Sequence, residues 1–218
     1  METQPGILGP VPPLARYQIY SLQNDCDYPD ALNKLCRQAD GESIVIGLGL
    51  PLIQALQANL DGLRPFPTYF SEGVSVPSTP AALWVWIRGN DRGTLLHLSR
   101  ALEHAVAPAF QLEKTIDAFK YGVSLDLTGY EDGTENPQGN EAVKVAVVEG
   151  KGPGLDGSSY VAVQQWVHDL DKFDAMTSQQ QDHTIGRRKS DNEELDDAPE
   201  SAHVKRTTQE SFDPEAFI

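Results

Sequence analysis

The stretch AALWVWIRG, residues 81–89, runs into GTLLHLSRALEHAVAPAF, residues 93–110, and the change of period between them decides the fold. In the first, Leu83, Val85 and Ile87 alternate with Trp84 and Trp86, the period of two that a half-buried strand requires. In the second, Leu95, Leu96, Leu98, Leu102 and Val106 fall at the spacing of a helix. EKTIDAFKYGVSLDLTG then leads back as a strand. Upstream the same order occurs: ARYQIYSL (15–22) predicts a strand, DYPDALNKLCRQAD (27–40) a helix carrying Ala31, Leu32, Leu35 and Cys36, and ESIVIGLGLPLI (42–53) a second strand. Strand, helix, strand, given twice, is the order of a ferredoxin-like unit.

A second run follows. EAVKVAVVEG (141–150) and GSSYVAVQQWVHD (157–169) predict strands, and LDKFDAMTSQQQDHTIG (170–186) predicts a helix stopped by Gly186 as its C-cap. From residue 186 onward the pattern is loop, ending in FDPEAFI, which resembles the start of a strand. The expected fold class is therefore α+β, with two ferredoxin-like halves at residues 1–125 and 126–218. A full second set calls for another strand or two and a helix after residue 213, so the second half reads either as a small irregular domain or as part of a larger protein cut short.

The whole chain narrows the function classes. Its 218 residues are 39% hydrophobic and 22% charged, enough for a packed core and unlike a disordered chain. A net charge of −15 repels phosphate backbones and anionic bilayers, so nucleic acid and membrane surfaces are not expected partners. No apolar run approaches the roughly 20 residues of a membrane helix, and METQPGILGPVPPLARYQIY lacks the pattern of a signal peptide. Two cysteines, Cys26 and Cys36, with no export signal point to a reducing, cytoplasmic compartment and free thiols.

Chemistry narrows to a few positions. There is no GxGxxG, Walker A or GxSxG motif and no cysteine–histidine cluster with zinc spacing. GLGLP (47–51) marks close backbone packing in a strand. DNEELDDAPE (191–200) holds six acids in ten residues and reads as a solvated loop, since it lacks the calcium-loop spacing. His97 and His104 read as solvent-facing or helix-packing residues, His168 as a strand edge and His183 as a cation near a helix C-terminus. GYEDGTENP (129–137) also fails the calcium test. It reads either as a surface turn or as a rigid loop presenting Asp132, and His203 stands in its own short segment after the acidic loop.

GYEDGTENP resembles the GxxDG motif of the dye-decolourising (DyP-type) haem peroxidases, in the DGTxNP form of their bacterial B-type members, through Gly129, Asp132, Gly133, Thr134, Asn136 and Pro137. SSYVAVQQWVHDLDKF, DHTIGRRKSDN and SAHVKR resemble the family's later segments in the same order, and TQPGIL and ARYQIYSL its start. The resemblance covers essentially the whole chain. It implies two ferredoxin-like halves with haem b in the C-terminal half, and a peroxidase that oxidises bulky aromatic donors such as dyes and phenols with hydrogen peroxide. By the same resemblance His203 is the proximal iron ligand and Asp132 the distal acid. Gly133, Thr134, Glu135, Arg187 and Arg206 lie along the cofactor, with Arg187 on a propionate. A neutral imidazole suits iron, and a carboxylate within one water of the iron suits the proton shift in peroxide cleavage. Desolvation would raise the Asp132 pKa and loop donors would lower it. The resemblance further implies a distal arginine beyond Ile218, a homo-oligomer, and in some members a protein shell around the enzyme. Two other readings stand beside it: a haem-binding or iron-handling protein without strong turnover, and a non-enzymatic ferredoxin-like module in which GYEDGTENP is a plain turn.

Overall fold

A computed structural model describes residues 3–71 and 73–207. Alternating apolar residues form the four long strands: β1 (Leu14–Leu22), β2 (Ile44–Leu48), β5 (Leu83–Gly89) and β6 (Phe110–Phe119). They build one antiparallel sheet in the order β2-β5-β1-β6, with Tyr17 opposite both Trp86 and Ile116 and a bulge at Ile19/Tyr20. Two helices connect them, α1 (Tyr28–Cys36) and α3 (Arg92–Val106). Each starts where an aspartate side chain accepts a backbone N–H of the first turn: Asp27 from Asp30, and Asp91 from Thr94. This is the ferredoxin-like order expected for the first half.

One face of the sheet supplies the core. Leu83, Val85 and Ile87 are fully buried and cluster with Leu35, Leu95, Leu102 and Val106. Each such side chain contributes roughly 1.5–3 kcal/mol by leaving water. On the other face Tyr17 stacks on Trp84 and Trp86. The Arg88 guanidinium lies 4.6 Å from the Trp86 ring and donates to the carbonyls of Glu42 and Pro10.

Four elements depart from the sequence reading. The apolar run 42–53 is split by Gly49: β2 stops at Leu48 and α2 (Leu50–Ala55) begins, with Pro51 in its first turn. A side chain at Gly49 would meet the Ala81 carbonyl, so the chain passes too close there for any other residue. A short hairpin, β3 (Tyr69–Ser71) and β4 (Val74–Val76), carries no alternation strong enough to be read in advance. The run VSLDL forms no strand. After β6 the chain turns through Tyr121–Leu125 and Leu125–Glu131 bridges.

The predicted strands 141–150 and 157–169 do not form among the described residues. The first is mostly α4 (Gly139–Ala146), where Lys144 pairs with Glu141 at 2.6 Å, one turn away, and the amide of Val147 donates to the Val143 carbonyl. The second is irregular, with Tyr160, Val161, Val163, Trp166 and Val167 exposed. An alternating strand needs a neighbouring strand to take its backbone groups in a ladder, and residues 157–169 belong to no ladder among the described residues. The helix read over 170–186 is two: α5 (Leu170–Asp174) and α6 (Ser178–Ile185). The Thr177–Gln180 capping box restarts the helix. Gly186 is its C-cap as expected, at φ +95°. The last described element is α7 (His203–Thr207), and the FDPEAFI tail lies outside the described residues.

The chain divides into two compact units. One comprises Met1–Lys120 with Gly139–Val163, and the other Tyr121–Gln138 with Gln164–Ile218. The sheet belongs to the first. GYEDGTENP, the IGRRK segment and His203 all belong to the second.

Candidate active site

Among its described residues the second unit has few buried apolar side chains: Tyr130, Phe173 and Ala202. Polar bonds hold it, and most converge on residues 182–194. Tyr130, the second residue of the motif, is 3% exposed and packs edge-on against Phe173 at 6.1 Å. Its hydroxyl donates to Asp182 Oδ1 at 2.5 Å. Burial, then the Asp182 carboxylate, push the phenol well above its ordinary range, so the group stays protonated and donating. Asp182 Oδ1 also accepts the Lys189 backbone N–H at 3.1 Å. Lys189 Nζ donates to the Thr128 carbonyl at 2.6 Å and lies 5.3 Å from the Tyr130 ring centre. Gly129 sits beneath that ammonium at φ +86°, where a Cβ would come within 2.7 Å of it.

The motif loop is tied to the same segment twice more. Asn192 Nδ2 donates to Glu131 Oε2 at 3.2 Å. Arg187 Nη2 donates to Glu135 Oε1 at 3.0 Å, and Nη1 donates to the Asn192 carbonyl. Glu194 lies 3.7 Å from Arg187 Nη2. Gly133, at φ +69°, closes a turn in which the Asn136 amide donates to its carbonyl. Asp132 and Thr134 are left exposed at the tip, without a hydrogen bond among the described residues.

The other end of residues 182–194 seats His203. A Cβ on Gly186 would meet Val204 Cγ2 at 2.3 Å and Ala202 Cβ at 3.2 Å, so the glycine makes room for the α7 N-terminus. Ala202 is completely buried there, and the Leu195 amide donates to the Gly186 carbonyl. His203 is the exposed first residue of α7, and its ring makes no hydrogen bond among the described residues. Arg206 is exposed on the same helix. The structure thus hangs both the Asp132 loop and the His203 helix on one segment, and brings Arg187 to Glu135.

Three further contacts were invisible in the sequence. His168 Nε2 lies 3.0 Å from Asp126 Oδ2, not at a strand edge. Partial burial works to raise the Asp126 pKa, but the Thr128 hydroxyl and N–H and the His168 ring outweigh it and hold the carboxyl below its usual range. His183 approaches Asp197 at 3.5 Å, while His97 and His104 are exposed on α3. The third is the Tyr130–Asp182 bond itself. A tyrosine beside a motif is the one advance signal it offered.

A family model described as Dyp-type peroxidase, C-terminal, matches residues 124–216. The chain is 30% identical over 213 residues to the dye-decolorizing peroxidase of Mycobacterium tuberculosis, covering 91% of this chain and 64% of that protein. Residues 124–216 thus match the C-terminal part of the DyP-type peroxidase family. It is 31% identical over 176 residues to the dye-decolorizing peroxidase of Rhodococcus erythropolis, covering 78% of this chain and 51% of that protein. Against these two curated relatives the chain spans between half and two-thirds of their length. Among solved structures, a DypB variant from Rhodococcus jostii RHA1 in complex with heme is similar at 27% identity, with a TM-score of 0.76 and coverage of 91% of this chain and 70% of that one. The encapsulated DyP-type peroxidase from Mycobacterium smegmatis is similar at 26% identity, with a TM-score of 0.79 and coverage of 94% and 71%. The α+β fold with an antiparallel, ferredoxin-like sheet is that of this family.

The donor set fits haem in its chemistry. His203 offers an unengaged imidazole, the ligand type that haem iron accepts. A Cβ on Gly133 would come within 2.6 Å of the Asn136 side-chain amide, so the glycine lets the loop close on itself. The Arg187–Glu135 pair is no obstacle. Glu135 is 85% exposed, and such a pair is worth only about 0–1 kcal/mol, so an arriving carboxylate can take its place. Among the described residues no group of three His, Cys, Asp or Glu side chains could hold a metal ion. No helix of the described residues is long and apolar enough to cross a membrane.

Proposed function

We propose that this chain is the haem-binding part of a peroxidase that uses hydrogen peroxide to oxidise bulky aromatic donors, with His203 as iron ligand and Asp132 as proton carrier. The observation that carries the reading is the shared support: residues 182–194 hold both the Asp132 loop and the His203 helix, as a site with two working faces needs. Haem b, when bound, supplies a redox-active iron at which peroxide is reduced. The Asp132 carboxylate takes a proton from one peroxide oxygen and returns it to the other, so that the second leaves as water. Arg187 holds a propionate by charge-assisted hydrogen bonds in place of Glu135, with Arg206 as a second cation. Gly133, Thr134 and Glu135 form the loop edge beside the ring. A homo-oligomer is part of this proposal, as is packaging in a protein shell, the latter because an encapsulated relative exists.

Titrating haemin into the protein tests the ligand assignment. The expected result is a Soret shift that is lost in His203→Ala. A spectrum unchanged by that substitution overturns it. Haem binding without dye oxidation would favour a haem-handling protein instead.

A further inference from the structure

We infer that Tyr130, through its bond to Asp182, is the positioning residue that sets the direction of the Asp132 carboxylate; the inference rests on the reading of Asp132 as the proton carrier. Asp132 lies between two glycines in the left-handed region, Gly129 at φ +86° and Gly133 at φ +69°. Glycines at such angles permit many backbone paths, so the three residues between them, Tyr130, Glu131 and Asp132, take their direction from the contacts they make. Proton transfer is sensitive to direction, and a loop free to swing would hold the carboxylate in line only part of the time.

Backbone bonds hold the start of the link, the Asp126 N–H donating to the Tyr130 carbonyl at 2.9 Å beside a Leu125–Glu131 bridge, and four side-chain ties act beyond them. Those through Glu131 and Glu135 use exposed carboxylates and are screened by water. Lys189 holds the Thr128 carbonyl, upstream of the first glycine. The Tyr130 tie differs. The ring is buried between Phe173 and Lys189, its hydroxyl meets a carboxylate at 2.5 Å, and it stands two residues before Asp132, inside the glycine pair. It is the buried, charge-assisted bond within the flexible link. Asp182 is fixed in turn, because the same oxygen accepts the Lys189 amide and its residue lies in α6 ahead of the Gly186 cap.

Tyr130→Phe keeps the ring and its packing and removes the donor. Asp182→Ala removes the acceptor, while Asp182→Asn keeps an acceptor oxygen. Two readouts apply to the haem-loaded protein: the stopped-flow rate of reaction with peroxide, and backbone amide order parameters of residues 131–134. The expected result is a rate about tenfold lower in Tyr130→Phe and in Asp182→Ala, with haem affinity unchanged. In both, the order parameters fall from about 0.85 toward 0.6, and Asp182→Asn restores both readouts. If Tyr130→Phe does not fold, Asp182→Ala reads the same bond from its other end. Wild-type rate and order in these variants, beside a slow Asp132→Asn, overturn the positioning role and leave Asp132 as proton carrier. A fast Asp132→Asn with haem bound overturns the proton-carrier reading, and the inference with it.

Discussion

The sheet unit and the motif unit are held together by different physics. In the first, strands and helices bury a continuous apolar cluster around Leu83, Val85 and Ile87, and backbone ladders do the rest. In the second, the three buried apolar side chains among the described residues are supplemented by side-chain bonds that reach across about 50 to 60 residues, Tyr130 to Asp182 and Lys189 to Thr128 among them. The first unit tolerates surface change and fails on core loss. The second should fail one bond at a time.

That contrast can be broken in order of expected effect. Ile87→Ala empties a fully buried position on β5 and should cost about 2–5 kcal/mol, read by chemical denaturation. A cost below about 1 kcal/mol would mean that the sheet core does not carry the unit. Gly186→Ala places a Cβ at φ +95° against Val204 and should cost about 2–4 kcal/mol, from left-handed strain plus overpacking. Tyr130→Phe leaves Asp182 without its buried donor and should cost about 1–3 kcal/mol. Glu135→Gln removes one exposed partner of Arg187 and should change stability by less than about 1 kcal/mol, which differential scanning calorimetry can bound.

Acid sharpens the same comparison. The Asp126 carboxyl is depressed in the folded protein. It therefore contributes stability above the ordinary carboxylate range, near pH 4, and that contribution is lost as pH falls through the folded value. Asp126→Asn should flatten the fall in stability below about pH 4. An unchanged acid limb would show that the Thr128 and His168 contacts do not hold the turn.

The two units also differ in how far the sequence foretold them. Strands β1 and β5 and helices α1 and α3 follow from period alone, because apolar burial imprints its spacing on the chain. Gly186 was readable as a cap for the same local reason. The strands read at 141–150 and 157–169 were not realised, because alternation records a propensity and cannot supply the neighbour that a ladder needs. Asp132 and His203 stood out through their motifs. The Tyr130–Asp182 and His168–Asp126 contacts did not, since bonds spanning 52 and 42 residues leave no periodic mark.

The central claim is that residues 182–194 support both faces of the site. Hydrogen exchange in wild type and Gly186→Ala tests it most directly. The account predicts faster exchange in peptides covering 128–136 and 200–207 together, with β1 and β5 unchanged. Loss of protection in one of those two peptides alone, or a change that begins in the sheet, would contradict it.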